Sequence, residues 1–307
     1  MLQELVNIIL YKKRMKWFHF LILPLSVISE QMRGLSIFGL ETDHRGFMCD
    51  WVKPVDYYVE QCSNLGFNLI RVPFSYQYIQ EGNLNKLDHI VGLAGYYNMS
   101  VILDYHRVWD NTQQPTPFDY GVSEQQFSDV WINLLARYYN SKSVIGHNAY
   151  NEFVPSDVNY LVAYTKRLFE RVEKTFPNRY YHFATCTQWS GNLRGVSLED
   201  LPYKERVFYS IHKYSFSGTA NEADWEASFG NIGIPVERIV VGEWGWVGDN
   251  PSQVEWATRF IQYLKRKNIT NTCYWALSQS GDTGNLWGND CLTFHYDNYN
   301  LLKTIWS

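Results

Sequence analysis

Two glutamates stand where an apolar stretch of the sequence gives way to aromatic residues. Glu243 follows Val240-Val241-Gly242, and Glu152 ends a similar segment that begins at Val144. β-Branched residues before a glycine are typical of the end of a buried strand. Because a carboxylate is strongly disfavoured inside an apolar core, we expect both acids to emerge at the mouth of a barrel or crevice. Paired carboxyl groups at such an opening indicate acid and nucleophile chemistry, with glycosidic bonds as the usual target.

The composition favours a sugar groove over a nucleic-acid surface. The chain has 307 residues and a formal net charge of −4, which argues against nucleic acid as a partner. It contains 12 Trp, 23 Tyr and 17 Phe, more aromatic residues than a core requires. Since sugars stack their C–H faces on aromatic rings, we expect a polysaccharide partner. The alternative is a large barrel that buries many rings in its own core.

Strand and helix patterns alternate from Met32 to the end of the chain. Apolar runs of strand length are followed by amphipathic stretches, and Ser123 with Gln126 forms a capping box. Because no Pro-, Gly- or Ser-rich linker interrupts the series, we predict one α/β domain, a (β/α)8 TIM barrel over residues 30–307. The predicted strands begin close to Gly34, Asn68, Val101, Ile145, Tyr181, Val207, Ile239 and Asn271.

Residues 1–29 form a separate, signal-like segment. Lys12 to Lys16 supply a basic patch, and Trp17 to Ile28 is nearly all apolar but short for a membrane span. We therefore expect a secreted protein, cleaved near Ser29, that is a monomer without membrane contact after cleavage. A retained membrane anchor and a leading helix packed on the domain are the alternatives.

Five cysteines follow that segment, with spacings that match no zinc motif. An odd number leaves at least one thiol unpaired, and nearness in the sequence suggests Cys49 with Cys62 and Cys273 with Cys291. Because neither G-x-G-x-x-G nor G-x-S-x-G occurs, a dehydrogenase and a serine hydrolase are disfavoured. We expect neither a cofactor nor a metal ion.

Short stretches along the chain occur in the order and at the spacing of a barrel. They are Phe38–Thr42, Leu65–Ser75, Leu103–Arg107, Asn151–Glu152, Gly191–Gly195, Val207–Tyr214, Gly242–Glu243, Tyr274–Trp275 and Ser280–Gly284. Together they resemble glycoside hydrolase family 5, most closely its cellulase branch, over Gly34 to Leu302. The resemblance implies a retaining endo-glycosidase that acts by double displacement, with Glu152 as acid/base and Glu243 as nucleophile.

The same resemblance implies roles for residues around the nucleophile. Arg71 would keep Glu243 ionised, Tyr214 would hydrogen-bond that carboxylate, and Asn151 would donate to the sugar 2-hydroxyl. Arg71 alone could equally be a structural ion-pair residue of the barrel. Phe153 departs from the family, which usually has proline after the acid/base glutamate, so the turn that holds Glu152 loses one restraint.

Histidine and tryptophan complete the predicted site. His106 and His212 would bind sugar hydroxyls or position the glutamates, and Trp275 would stack beneath the sugar next to the cleaved bond. Either histidine could instead be a buried structural residue. Further tryptophans could line the groove: Trp51, Trp109, Trp189, Trp244, Trp246 and Trp287.

These features predict an endo-1,4-β-glucanase that acts on cellulose-like chains. An endo-β-1,4-mannanase is the alternative within the same chemistry, because the two sugars differ only in an axial 2-hydroxyl. A carbohydrate-binding barrel without turnover is the alternative outside it, favoured only by Phe153.

Overall fold

A closed barrel of parallel strands forms the centre of the protein. The computed structural model describes residues 30–216, 221–278 and 283–307, so the signal-like segment and Ser280–Asp282 lie outside the described residues. Eight strands pair in sequence order, and β1 also pairs with β8 to close the ring. The strands are β1 Arg33–Ser36, β2 Leu69–Ser75, β3 Ser100–Arg107, β4 Val144–Asn148, β5 Tyr181–Ala184, β6 Val207–Lys213, β7 Ile239–Trp244 and β8 Thr272–Tyr274. The predicted (β/α)8 barrel is confirmed.

Amphipathic helices surround the barrel. The longer ones are α1 Val55–Asn64, α2 Asn85–Tyr96, α3 Glu124–Arg137, α4 Val158–Thr175, α5 Pro251–Lys267 and α6 Tyr296–Leu302. Shorter helical pieces are Tyr76–Gln80, Thr187–Ser190, Lys204–Arg206, Glu222–Trp225, Glu226–Gly230, Val236–Arg238 and Lys303–Trp306. Ser123 caps α3 with the predicted capping box, and the side chain of Asp157 caps α4. No helix among the described residues is long and apolar enough to cross a membrane.

All eight strands run parallel, so their carboxyl ends meet at one face of the barrel. The pairing register shifts near this face, between Ile211 and His212 in β6 and between Val241 and Trp244 in β7. Such irregularities turn side chains away from the regular inward and outward alternation. The sequence segments that carry predicted site residues therefore end together, and two of them are re-aimed there.

The disulfide joins two loops at the closure of the barrel. Cys49 bonds to Cys291, 242 residues further along the chain, while Cys62, Cys186 and Cys273 are buried free thiols. Both predicted pairings are therefore wrong. Because β1 and β8 are neighbours in the closed barrel, the loops that follow them also come together, and distance in the sequence is a poor guide to this pair.

Three of the tryptophans considered for the groove are core residues instead. Trp244 and Trp246 are 0% exposed and Trp287 is 3% exposed. Trp244 packs on Trp246 and on Phe260 of α5, so both rings fill the space between β7 and the helical layer. Trp51 and Trp109 are exposed, at 54% and 39%.

Candidate active site

Glu152 and Glu243 face each other at the carboxyl face of the barrel. Glu243 lies within β7, and Glu152 lies in the loop between β4 and α4. One carboxylate oxygen of each and a ring nitrogen of His212 all lie within 4.8 Å of one another. Both acids thus occupy one small space, although Glu152 lies four residues beyond the end of β4 at Asn148 and not at the predicted strand end.

The carboxylate of Glu243 is held by donors on both oxygens. Arg71 Nη1 donates to Oε2 at 3.0 Å, and the hydroxyl of Tyr214 donates to Oε1 at 2.8 Å. Burial raises the pKa of Glu243, and the charge of Arg71 and the hydrogen bond from Tyr214 oppose that rise. The hydrogen bonds select the charged form, because a protonated carboxyl group would not accept both donors as well.

Glu152 has the more open and less charged surroundings of the two acids. Its side chain is 17% exposed, against 8% for Glu243. Burial raises the pKa of Glu152 to about 7, although Arg71 and Arg107 act to lower it. Two carboxyl groups this close do not ionise together readily, so the first charge resides on Glu243 beside Arg71 and the shared proton resides on Glu152.

His212 connects the two acids. Its Nδ1 lies 3.0 Å from Oε1 of Glu152 and 3.8 Å from Oε2 of Glu243. Burial lowers the pKa of His212 to about 4, so the ring is neutral at the pH where Glu152 titrates. The contact with Glu152 is therefore a hydrogen bond of a neutral imidazole, which fixes the carboxyl group without adding a charge.

A buried polar layer lies beneath the glutamates. Arg71 Nη2 lies 3.0 Å from Oδ2 of Asp104 and donates to Oδ1 of Asn151 at 2.6 Å. Asp104 also binds Nδ1 of His106 at 2.7 Å and accepts from Asn148 at 2.7 Å. Since arginine only donates, Oδ1 of Asn151 must face Arg71, and its Nδ2 group faces away from that guanidinium.

Asp104 belongs to the site although it was not among the predicted site residues. It is 0% exposed and is the second carboxylate that contacts Arg71. The sequence held a signal for it, because an aspartate interrupts the apolar strand Val101–Leu103 two residues before His106. Residues two apart on a strand share a face, so Asp104 and His106 point into the same interior.

Trp275 and His106 form the aromatic side of the site. Their rings stack at 5.1 Å with an interplanar angle of 12°, and Phe38 meets Trp275 edge-on at 5.7 Å. His106 contacts Asp104 and Asn151, whose Nδ2 lies 3.3 Å from its Nε2. The described hydrogen bonds of His106 therefore reach the supporting layer, whereas those of His212 reach the glutamates themselves.

The loop of Glu152 is packed from below by the residue that replaces the family proline. Phe153 is 0% exposed and stacks on Tyr160 with ring centroids 5.9 Å apart. Trp189, from the loop after β5, is 52% exposed beside this segment and donates its backbone N–H to the carbonyl oxygen of Phe153 at 3.0 Å. This predicted groove tryptophan is therefore in direct contact with the loop that carries Glu152.

Glu152, His212 and Glu243 are also a donor set that a metal ion could use. Both oxygens of Glu243 already accept hydrogen bonds, and the guanidinium of Arg71 lies 3.0 Å from one of them. A second positive charge at that position would be repelled. The surroundings favour a carboxylate that reacts with substrate over one that ligates a metal.

The sequence matches a known family along most of its length. The model of the cellulases, glycosyl hydrolase family 5, matches residues 28–281. An endoglucanase of Paenibacillus polymyxa is 25% identical over an alignment that covers 89% of this chain and 82% of that protein. The major extracellular endoglucanase of Xanthomonas campestris pv. campestris is 24% identical, covering 90% of this chain and 68% of that protein.

Solved structures show the same fold. An endocellulase from Pyrococcus horikoshii, in complex with cellotetraose, superposes with a TM-score of 0.80 at 22% identity, covering 91% of this chain and 93% of that one. The catalytic domain of the major endoglucanase from Xanthomonas campestris pv. campestris also gives a TM-score of 0.80, at 22% identity, covering 90% and 95%. At these identities the likeness establishes the barrel.

Proposed function

This chain belongs to glycosyl hydrolase family 5, the cellulases, and on that premise we propose that it cleaves internal β-1,4 bonds of glucan chains with Glu152 as acid/base and Glu243 as nucleophile. The observation that carries the proposal is the approach of the two carboxyl groups, within 4.8 Å between their nearer oxygens. Retaining glycosidases place their carboxyl groups about 5–5.5 Å apart, whereas inverting ones need more room for a water molecule.

The first step forms a covalent glycosyl-enzyme. Glu152 gives its proton to the glycosidic oxygen while an oxygen of Glu243 attacks the anomeric carbon, and the bond to the leaving sugar breaks. This division of labour matches the surroundings, because Glu152 has its pKa raised to about 7 and Glu243 faces a guanidinium. In the second step Glu152, now ionised, takes a proton from water as the water attacks the ester, and Glu243 leaves as a carboxylate.

The remaining site residues hold substrate and acids in place. Tyr214 and Arg71 fix the two oxygens of Glu243, and His212 orients Glu152. Asn151, whose oxygen is taken by Arg71, turns its amide N–H groups toward the sugar 2-hydroxyl. Trp275 provides the ring beneath the sugar next to the cleaved bond, and its stack on His106 fixes the orientation of that ring.

The substrate is a polymer and the protein meets it outside the cell as a monomer. Support for secretion comes from the signal-like composition of residues 1–29 and from the relative named as an extracellular endoglucanase. Exposed aromatic rings, including Trp189 at 52%, suit a chain that extends on both sides of the cleaved bond.

Product stereochemistry and substrate choice test this function together. Proton NMR of a cello-oligosaccharide digest should show the β-anomer first, with the α-anomer growing only by mutarotation. Reducing ends should be released from carboxymethyl cellulose in preference to mannan. Glu152→Gln and Glu243→Gln should each remove hydrolysis of cellulose, and Glu60→Gln, an exposed control on α1, should not. An initial α-anomer, or full activity of either catalytic variant, would refute the proposal.

A further inference from the structure

The loop after β5 donates hydrogen bonds to the backbone that carries Glu152. The carbonyl oxygens of Asn151, Phe153 and Pro155 all point to this loop. Trp189 N–H donates to Phe153 at 3.0 Å, and Gln188 N–H donates to Pro155 at 3.4 Å. These contacts lie on both sides of Glu152 along the chain, so the loop limits the movement of the whole segment.

Two buried hydroxyl groups complete these contacts at Asn151. The hydroxyl oxygens of Ser190 and Thr185 lie 2.8 and 3.1 Å from the carbonyl oxygen of Asn151, and they also contact each other. Both side chains are buried, Ser190 at 0% and Thr185 at 2% exposure. Since each hydroxyl carries one hydrogen, either both donate to the carbonyl or one is ordered through the other. Both hydroxyls therefore serve the residue directly before the acid/base.

The loop adopts an unfavourable backbone in order to make these contacts. Gln188, Trp189 and Ser190 have φ of 55°, 59° and 54°, in the left-handed region that residues with a Cβ seldom occupy in succession. A backbone bridge between Thr187 and Asn192 closes the turn. This conformation aims the N–H groups of two consecutive residues at the Glu152 segment, and it persists because the surroundings hold it.

Lys213, the last residue of β6, contacts the turn at residues 188–191. Its Nζ donates to the carbonyl oxygen of Gly191 at 2.6 Å, and the residue is 1% exposed. Lys213 makes no ion pair within the described ranges 30–216, 221–278 and 283–307. The ammonium group also lies 5.7 Å from the ring centroid of Phe229, so its two contacts are the turn and an aromatic ring, which points to a positional role. The preceding residue, His212, binds the carboxyl group of Glu152, so β6 supports both the side chain and the backbone of the acid/base.

We propose that Ser190 and Thr185 are positioning residues, which fix Glu152 for proton transfer to the leaving sugar, and that Lys213 locks the turn that presents them. The inference rests on the proposed function, in which Glu152 is the acid/base. It explains how this chain holds that residue without the restraint on φ that a proline after it would supply.

A change of leaving group separates positioning of the acid from general stability. Dinitrophenolate leaves as a stable anion and needs no proton, whereas the sugar alkoxide of cellotetraose does. In the Thr185→Val/Ser190→Ala double variant, kcat/KM for cellotetraose should fall on the order of tenfold or more, since misplacement of a catalytic group by about 1 Å has such effects. For dinitrophenyl β-cellobioside kcat/KM should stay near the wild-type value. Because Glu152 is also the base of the second step, kcat and KM for this substrate should fall together.

Three further variants serve as controls that separate a positioning role from other causes of lost activity. Glu152→Ala should show the same dependence on leaving group in full, and Lys213→Met should show it in part. Ser228→Ala removes a nearby buried hydroxyl group that donates to the carbonyl oxygen of Trp225, and it should leave kcat/KM unchanged for both substrates. If Glu152→Ala shows no dependence on leaving group, the proposed function is wrong. If it does, and the double variant slows both substrates equally or neither, the positioning role is overturned. Should the double variant fail to fold, Ser190→Ala and Thr185→Val alone are judged by the same criterion.

Discussion

Replacing Arg71 by methionine should change both the stability of the barrel and the pH at which it works. Arg71 is 1% exposed and lies 3.0 Å from an oxygen of Glu243 and 3.0 Å from an oxygen of Asp104. Methionine fills similar apolar space but leaves two buried carboxyl groups without the positive charge between them. Breaking a buried ion pair on one side destabilises a protein by about 3–5 kcal/mol. In a barrel of this size we expect a fall in Tm of about 10 °C.

The sign of the pH effect follows from the charge. Arg71 lowers the pKa of Glu243, so its removal raises that pKa further above the ordinary value. Because Glu243 attacks only when ionised, the acid limb of kcat/KM should move to higher pH. The deficit in stability should shrink as pH falls, since protonation neutralises both Glu243 and Asp104.

Thermal melts and the pH profile of dinitrophenyl β-cellobioside hydrolysis measure the two effects separately. This substrate needs no proton from Glu152, so its acid limb reports Glu243. Arg71→Lys should shift the acid limb of kcat/KM less, because lysine keeps the positive charge and loses only the paired nitrogen donors of the guanidinium group. Adding Asp104→Asn to Arg71→Met should recover part of the stability, since one uncompensated carboxylate is removed. An unchanged acid limb in a destabilised Arg71→Met variant would mean that Arg71 supports the fold and does not control the nucleophile.

Further predictions concern the acid, the disulfide and a second buried carboxyl group. In the wild-type protein kcat/KM for cellotetraose should fall above pH about 7, as Glu152 loses its proton, and a dinitrophenyl substrate without this fall is the control. Reduction of Cys49–Cys291, or a double serine variant, should lower the free energy of unfolding in urea by about 2–4 kcal/mol, and equal midpoints would contradict this. Glu41 is 0% exposed, and burial raises its pKa from 4.5 to about 7. Its protonated form therefore suits the folded protein: the free energy of unfolding is highest below pH 4.5 and falls as pH rises from there through 7. Glu41→Gln should remove roughly 3 kcal/mol of that pH dependence, and an unchanged slope of Tm with pH would refute it.

The sequence allowed the fold and the centre of the site to be predicted because strand ends are local signals. An apolar run that stops at a polar residue marks the carboxyl face, and this rule placed Glu152 and Glu243 there. Arg71 lies inside β2, with four strand residues after it, so it does not mark a strand end. What it could not supply is which neighbours share a hydrogen bond. Asp104 supports the site through its contact with Arg71, which depends on the pairing of β2 with β3. The sequence shows that an aspartate interrupts an apolar strand, but not which residue it contacts.

The errors came from reading residues one at a time. A closed barrel brings the loops after β1 and β8 together, so Cys49 and Cys291 could have been paired from the predicted topology alone. Strand side chains alternate between faces, so Trp244 points away from the face to which Glu243 contributes. The alternation of side chains along a strand was therefore enough to predict that Trp244 lies in the core between β7 and the helices. The left-handed turn at Trp189 had no such signal, because its conformation is imposed by contacts with the Glu152 loop.

Trapping the covalent intermediate tests the central claim most directly. A 2-deoxy-2-fluoro β-cellobioside with a dinitrophenyl leaving group should form the glycosyl ester and release it slowly, because fluorine destabilises the transition states of both steps. Digestion and mass spectrometry should then locate the added fluorocellobiosyl group on the peptide that contains Glu243, while Glu152 remains unmodified. An adduct on Glu152, or complete turnover by a Glu243→Gln variant, would contradict the account.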